Sequence, residues 1–197
     1  NLGVIFNNLR ENQKAKECYE KAIAIKPSHS LALNNLGVIF EELGKYQKAK
    51  DCFKKAIEIN PNYAAALYNL GNVSNELKEY QKAKDYFEKT IKINPNHKDA
   101  HNNLGIIFKN LKDYKKAKDY FEKTIKINPN YADGHYNLGI IFLELKDYQK
   151  AKDCFKKAIE INPYHKYVYN NLGAIFKNLK DYKKAKDCFE KAIEINP

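Results

Sequence analysis

Asparagines that recur at one fixed interval are the side chains in this sequence whose type and spacing best suit recognition chemistry. Each directly precedes a Leu-Gly dipeptide. They are Asn1, Asn35, Asn69, Asn103, Asn137 and Asn171, and we call them the asparagine ladder. A carboxamide carries both donors and an acceptor, so it can pair with the N–H and the C=O of an extended peptide. Rungs roughly 10 Å apart would meet such a peptide about every third residue, at ~3.3–3.6 Å per residue.

Other chemistry is weakly represented. His97 and His101 are four residues apart, but we expect His97 in a turn and His101 at a packing position. His29 and His165 occupy the same place in the repeat as His97, and we expect turns there too. The sequence has no glycine-rich phosphate loop and no Ser/His/Asp set. We therefore expect a protein that is not an enzyme and has no catalytic residue, metal or cofactor.

The cysteines also follow the repeat, since Cys18, Cys52, Cys154 and Cys188 share one repeat position. Packed helices in neighbouring repeats lie about 8–10 Å apart. A disulfide needs less than ~7 Å between α-carbons. We therefore expect reduced thiols in a cytoplasmic or otherwise intracellular protein.

The elements that position the ladder are visible in the segment 98–131. Apolar or small residues recur at spacings of three and four, which predicts two helices. Asp113 can cap the second helix, and Asn128-Pro129 ends it because the residue before proline avoids the helical region. The first stripe contains His101, Leu104, Gly105, Ile107, Phe108 and Leu111; the second contains Tyr114, Ala117, Phe121, Thr124, Ile125 and Ile127.

Small residues at fixed positions predict close contact between these helices. In addition to the Leu-Gly pair, every repeat has an alanine at the position of Ala117 and a proline at the position of Pro129. An aromatic residue stands four positions after each alanine, as in Phe121. Replacing Gly105 or Ala117 by leucine should overpack the junction and cost about 1–3 kcal/mol.

With a 34-residue period, the Leu-Gly pair, the fixed Ala and Phe and the terminal Pro, the whole chain resembles an array of tetratricopeptide (TPR) repeats. The resemblance implies an all-α fold, a right-handed superhelical solenoid of antiparallel helix pairs. We expect a single domain over 1–197, with a truncated repeat at 1–29 and repeats at 30–63, 64–97, 98–131, 132–165 and 166–197. No polar capping helix is recognisable, so we expect a fragment of a longer protein whose uncapped ends could associate end to end.

In TPR arrays the first helix of each repeat lines a concave groove, so the resemblance implies where function would reside. The ladder is similar to that in the TPR region of O-GlcNAc transferase. The residues expected to bind a peptide are Asn35, Asn69, Asn103, Asn137, Asn171, Tyr68, Asn72, Asn102, Tyr136 and Asn170. The ladder asparagines could equally be inherited repeat consensus with packing or solubility roles.

Charges near these positions suggest the partner. Flanking groove positions hold six acids and two lysines, which favours a neutral or basic extended segment; the acids are Glu41, Glu42, Glu76, Asp99, Asp133 and Glu144, and the lysines are Lys109 and Lys177. A carboxylate clamp built from lysine or arginine is not expected.

The net charge of +11 raises nucleic acid as a possible partner. Most lysines, however, fall on the second helices, interleaved with acids at spacings that allow intrahelical pairs. We therefore expect neither nucleic acid as the partner nor a membrane span, and predict a non-catalytic protein–protein interaction scaffold. The alternatives are a substrate-recruiting TPR region of a larger enzyme, such as a protein O-GlcNAc transferase, and an end-to-end self-assembling scaffold.

Overall fold

The computed structural model describes residues 2–195, which form twelve helices and no strand. Contacts divide the chain into two compact parts, a first unit (Asn1–Ala100) and a second unit (His101–Pro197). The predicted all-α class of paired helices is confirmed.

Six helices form the bulk of the first unit. They are α1 (Leu2–Asn8), α2 (Asn12–Ile25), α3 (Ser30–Glu42), α4 (Tyr46–Ile59), α5 (Ala64–Glu76) and α6 (Tyr80–Ile93). Each odd-numbered helix packs on the even-numbered helix that follows it. We call the odd-numbered members first helices and the even-numbered members second helices.

The second unit continues the same order. Its helices are α7 (Lys98–Asn110), which begins before the boundary, α8 (Tyr114–Ile127), α9 (Ala132–Glu144), α10 (Tyr148–Ile161), α11 (Lys166–Asn178) and α12 (Tyr182–Ile195). The proline turns separate the pairs, because each second helix ends two residues before its proline, as α8 does at Ile127.

The glycine of each Leu-Gly pair is required by the approach of the next helix. A Cβ on Gly71 would lie 2.6 Å from Cε1 of Phe87, and one on Gly139 would lie 2.6 Å from Cε1 of Phe155. Both rings are buried. A side chain at either glycine would therefore displace a core aromatic residue.

One repeated turn joins the helices within each pair. In the pair α9 and α10, Lys146 adopts φ 59°, its N–H donates to the carbonyl of Leu143 at 3.0 Å, and the Asp147 N–H donates to that of Phe142 at 2.9 Å. These are the two bonds of a Schellman motif, in which a left-handed residue ends the helix. Gly44, with φ 68°, is the glycine that takes this place.

The residue after the left-handed one begins the next helix. Asp113 Oδ1 accepts from the Lys116 N–H at 3.1 Å, which confirms the predicted cap, and Asp147 and Asp181 cap in the same way. In the first unit this place holds Glu11, Lys45 and Glu79, which form no side-chain cap bond. Glu79 pairs instead with Lys50 of the preceding repeat and with Lys82.

The prediction that Leu111 belongs to the buried stripe of its helix is wrong. Leu111 follows the end of α7 and is 66% exposed. Its N–H still donates to the carbonyl of Ile107, but the chain turns toward the left-handed Lys112 directly afterwards. The spacing of apolar residues therefore placed Leu111 in the helix, although the helix ends one residue earlier, at Asn110.

Candidate functional site

Within each unit, a member of the asparagine ladder forms a side-chain hydrogen bond to the neighbouring first helix. In the first unit, Asn69 Nδ2 donates to Asn34 Oδ1 at 3.0 Å; in the second, Asn137 Nδ2 donates to Asn102 Oδ1 at 3.0 Å. Asn34, Asn102 and Asn137 are buried. These amides thus connect successive repeats, a packing role of the kind that the sequence left open for the ladder asparagines.

Tyrosine oxygens receive the corresponding bonds elsewhere in the ladder. Asn35 Nδ2 donates to the Tyr19 hydroxyl at 3.4 Å, and Asn171 Nδ2 donates to the Tyr136 hydroxyl at 3.4 Å and to the Tyr167 carbonyl at 3.0 Å. Asn69, Asn103 and Asn171 are half-buried. Because a carboxamide has two donors and an acceptor, one internal bond leaves it capacity for a ligand.

The other predicted residues differ in exposure. Tyr68, Tyr136 and Asn72 are half-buried and Asn170 is exposed, all on first helices. Asn1 lies outside the described residues.

Each of the two tyrosines packs on a histidine that ends its own repeat. The ring centroids of Tyr68 and His97 are 4.6 Å apart, and those of Tyr136 and His165 are 4.7 Å apart. Burial raises the pKa of Tyr136, which keeps its hydroxyl protonated. Sequence reasoning placed these histidines in turns and missed the contact.

A signal for this contact was present in the sequence. Repeats whose first helix has tyrosine at this position end in histidine, whereas the repeats with Asn34 and Asn102 there end in Tyr63 and Tyr131. The two positions therefore change together from repeat to repeat, as expected of side chains that pack on each other.

The two histidines use their ring nitrogens differently. His97 Nδ1 accepts from the Ala100 N–H at 3.3 Å and so caps α7. Burial lowers the pKa of His97, as expected for a ring whose lone pair is in use. The buried His165 instead places Nε2 at 3.1 Å from Asp133 Oδ1. Because a carboxylate only accepts, this ring nitrogen is the donor.

A surface cavity of about 400 Å³ lies beside Tyr136 in the second unit. Two of the tyrosines that line it are strongly exposed, Tyr164 at 77% and Tyr167 at 53%. Asp133, Asn102 and Asn137 contribute polar groups to the lining. We call this space the Tyr136 cavity.

Acidic residues lie at the C-terminal ends of first helices in the first unit. Burial, together with the neighbouring charges of Glu76 and Glu42, raises the pKa of Glu41 to about 7. At a pH between the reference value of 4.5 and about 7, Glu41 is therefore protonated in the folded protein. A cationic partner would favour its ionised form.

Other reactive groups are inert in character. The four cysteines are free, and burial raises the pKa of both the Cys52 and the Cys154 thiol to about 11, which disfavours the nucleophilic thiolate. Within residues 2–195 no group of three His, Cys, Asp or Glu side chains is arranged to hold a metal ion. Among the same residues, no helix has the length and apolar character needed to span a membrane.

Comparison with known proteins assigns the family. The tetratricopeptide repeat model matches residues 30–63, 64–97, 99–131, 132–165 and 167–197, and a second model of this repeat matches residues 1–29. The chain belongs to the tetratricopeptide repeat family. Among curated protein sequences none matches it significantly.

Several solved structures are similar. YrrB, a TPR protein with an unusual peptide-binding site, is 25% identical over 92% of this chain and 94% of its own, with a TM-score of 0.74. MamA from Desulfovibrio magneticus is 25% identical over 84% of this chain and 94% of its own, with a TM-score of 0.75. PilF from Pseudomonas aeruginosa, at 22% identity, has a TM-score of 0.89 over 100% of this chain and 89% of its own.

Proposed function

We propose that this chain is a non-catalytic protein-interaction scaffold that binds an extended peptide segment along its first helices. The observation that carries the proposal is the arrangement of amides and tyrosines at one-repeat spacing within each unit, with Asn69 bonded to Asn34 and Asn137 bonded to Asn102. Such spacing matches about three residues of extended peptide per repeat. YrrB supports the proposal as a similar protein that has a peptide-binding site.

Ladder amides would supply backbone recognition in this proposal. Each internal bond fixes the orientation of a carboxamide in advance, which lowers the entropy cost of binding. Tyr68 and Tyr136 would add apolar contact area at low entropic cost, because a tyrosine has two side-chain torsions. Asn72, Asn102, Asn103 and Asn170 would complete the face.

Charge near this face favours a neutral or basic segment. In the first unit the charges of Glu76 and Glu42 act on Glu41, and Asp133 lines a cavity in the second. Several lysines of the second helices pair with acids of their own helices, as Lys118 does with Glu122. Such pairs argue for a solvated surface there and against a nucleic-acid site.

The experiment is a peptide array probed with the full chain, followed by titration of a retained peptide. Asn137→Ala would be an ambiguous variant, because it removes the group that donates to Oδ1 of the buried Asn102 and so could also affect stability. Asn170→Ala is better, since Asn170 is exposed on a first helix, and Lys126→Ala on the second helix α8 is its exposed control. We expect Asn170→Ala to weaken binding about threefold to tenfold, the loss of one hydrogen bond, and Lys126→Ala to leave it unchanged.

Backbone amide NMR spectra of the same titration locate the peptide without any substitution. The proposal requires the largest shifts in first helices such as α5, α9 and α11. Shifts confined to the second helices, or an array that retains no peptide, would overturn it.

A further inference from the structure

We propose that the Tyr136 cavity binds a cationic side chain of the partner, with arginine preferred over lysine. The inference rests on the proposed function and adds the identity of one residue that the bound peptide must carry. It depends on three features of the lining, which are its exposed aromatic rings, the carboxylate of Asp133 and the lone pairs of its amide and hydroxyl oxygens.

Three tyrosines line the cavity, Tyr136, Tyr164 and Tyr167. Tyr136 is 6.3 Å from Tyr167 between ring centroids, with 32° between the ring planes. Tyr164 and Tyr167 are both more than half exposed, although tyrosine usually buries most of its ring. The faces of such rings attract cations, and a planar guanidinium stacks on them better than an ammonium does.

Asp133 places a negative charge in this aromatic setting. Its side chain is 60% exposed, so a ligand can reach it. Its Oδ1 is held by Nε2 of the buried His165, which orients the carboxylate before a ligand arrives. An arginine can bind a carboxylate through two parallel hydrogen bonds, whereas lysine offers a single point charge.

The other polar groups of the lining keep some acceptor capacity. Asn102 Oδ1 accepts from Asn137 Nδ2, and Asn162 Oδ1 accepts from the Tyr164 N–H, but an amide oxygen has a second lone pair. Tyrosine hydroxyl oxygens add further lone pairs. A guanidinium brings five N–H donors and no acceptor, so it can use these lone pairs.

The first unit contains a natural control for this assignment, two repeats earlier in the chain. Tyr68, His97, Asn34 and Asn69 reproduce the packing framework. The residues that would hold the cation are different there: Ala65, Asn96 and Asp99 replace Asp133, Tyr164 and Tyr167. Asp99 is bound to Lys98 at 2.8 Å. We therefore assign the cation site to the second unit.

The test uses calorimetry with short capped peptides, Gly-Gly-X-Gly-Gly, in which X is arginine, lysine, trimethyllysine, citrulline or glutamate. Citrulline has the shape of arginine without its charge. We expect arginine to bind best, lysine and trimethyllysine less tightly, and citrulline and glutamate at least tenfold more weakly than arginine. Equal binding of citrulline and arginine would overturn the proposal, as would tighter binding of glutamate. Tightest binding of trimethyllysine would also overturn it, because the aromatic rings alone would then select the ligand.

Asp133→Asn is the diagnostic variant, since it keeps the shape of the side chain and an acceptor for His165. We expect it to reduce arginine binding about tenfold with an unchanged thermal midpoint. Ala65→Asp, at the equivalent place in the first unit, should leave arginine binding unchanged because the two tyrosines are missing there. If Asp133→Asn binds arginine as tightly as the parent chain, the assignment is wrong.

The two proposals can fail separately. If peptides from the array bind the first helices of the parent chain and of Asp133→Asn equally, whatever their charge, the peptide-binding face stands and the arginine site is refuted. If the array retains nothing and the arginine probe also fails to bind, both are refuted.

Discussion

The surroundings of Tyr68 in the first unit and of Tyr136 in the second share a framework of packed residues. They differ at three positions that we call the rim, which hold Ala65, Asn96 and Asp99 in the first unit and Asp133, Tyr164 and Tyr167 in the second. Their tyrosine–histidine centroid distances are 4.6 and 4.7 Å, and their tyrosine–phenylalanine distances are 5.8 Å to Phe87 and 6.0 Å to Phe155. In both, a hydrogen bond of 3.0 Å joins two asparagine side chains of successive repeats. The framework residues are buried or half-buried, whereas most rim residues are exposed.

The same shift of two repeats compares the opposite ends of the first helices. The charge of Glu76 acts on Glu41 in the first unit, and the equivalent residues in the second unit are Lys109 and Glu144. Similarly, Glu79 starts its second helix without a side-chain cap, while Asp147, at the equivalent place, caps α10.

One position on the first helices shows how far the similarity between the units extends. Neighbouring repeats alternate there between asparagine and tyrosine, from Asn34 through Tyr68 and Asn102 to Tyr136 and Asn170. The pattern at this position therefore repeats every two repeats.

The largest expected effect tests whether the two frameworks are equivalent. Gly71→Leu and Gly139→Leu should each destabilise the chain by about 3 kcal/mol, because the new side chain would collide with Phe87 or Phe155 in a close-packed core. Urea unfolding measures both losses. Losses that differ by more than about 1 kcal/mol would show that the two frameworks are not equivalent.

Transplanting the rim tests whether the framework is sufficient to support it. The triple substitution Ala65→Asp, Asn96→Tyr and Asp99→Tyr gives the first unit the rim of the second. Calorimetry with the arginine peptide should then report two sites per chain, the new one about tenfold tighter than binding to the parent first unit, a gain of about 1.4 kcal/mol. A stoichiometry that stays at one would mean that the frameworks differ in a way that their distances do not reveal.

The acidic end of the first unit should make stability depend on pH. The folded-state pKa of Glu41 is about 7 and the reference value is 4.5. The contribution of Glu41 to the stability of the fold is therefore fully present below about pH 4.5 and is lost as the pH rises through 7. Glu41→Gln should therefore gain stability relative to the parent chain between about pH 5 and 8, on the order of 1 kcal/mol once solvent screening of this half-buried group is included. Lys109→Gln, at the equivalent position of the second unit, is the matched control and should leave the pH profile of the parent chain unchanged. Parallel pH profiles for the parent chain and Glu41→Gln would contradict the raised pKa.

The smallest effect concerns the histidine cap of the first unit. Burial lowers the pKa of His97 from the ordinary value of 6.5. Its contribution to stability is therefore present above about 6.5 and decreases as the pH falls from that value through the folded-state pKa. NMR titration of the His97 ring should give a midpoint below about 6.5, and hydrogen exchange of the Ala100 amide should quicken once the ring is protonated. A midpoint above that value would exclude the role of Nδ1 as the acceptor of this cap.

Local chemistry made most of the fold predictable. The regular repeat period, the proline after each second helix and the aspartate at Asp113 act within a few residues of where they stand, so their consequences followed from the sequence. Leu111 was misplaced because the left-handed turn at Lys112 takes it away from the helical face. A lysine in that conformation leaves no signal comparable to a glycine such as Gly44.

The candidate site was less predictable because it depends on contacts between repeats. The asparagine ladder was recognised, but its bonds to Asn34 and Asn102 required knowledge of how neighbouring first helices are aligned. The packing of Tyr136 on His165 joins residues at opposite ends of one repeat, and the cavity beside it also uses Asp133 and Tyr167. Each residue alone reads as an ordinary surface or turn position.

The most direct test of both proposals is a crystal structure of the chain with an arginine-containing peptide selected from the array. We expect an extended peptide backbone along the first helices, hydrogen-bonded to ladder amides. Its arginine side chain should lie against Tyr136 and Tyr167 and pair with Asp133. A peptide bound to the second helices, or an arginine side chain directed into solvent, would contradict this expectation.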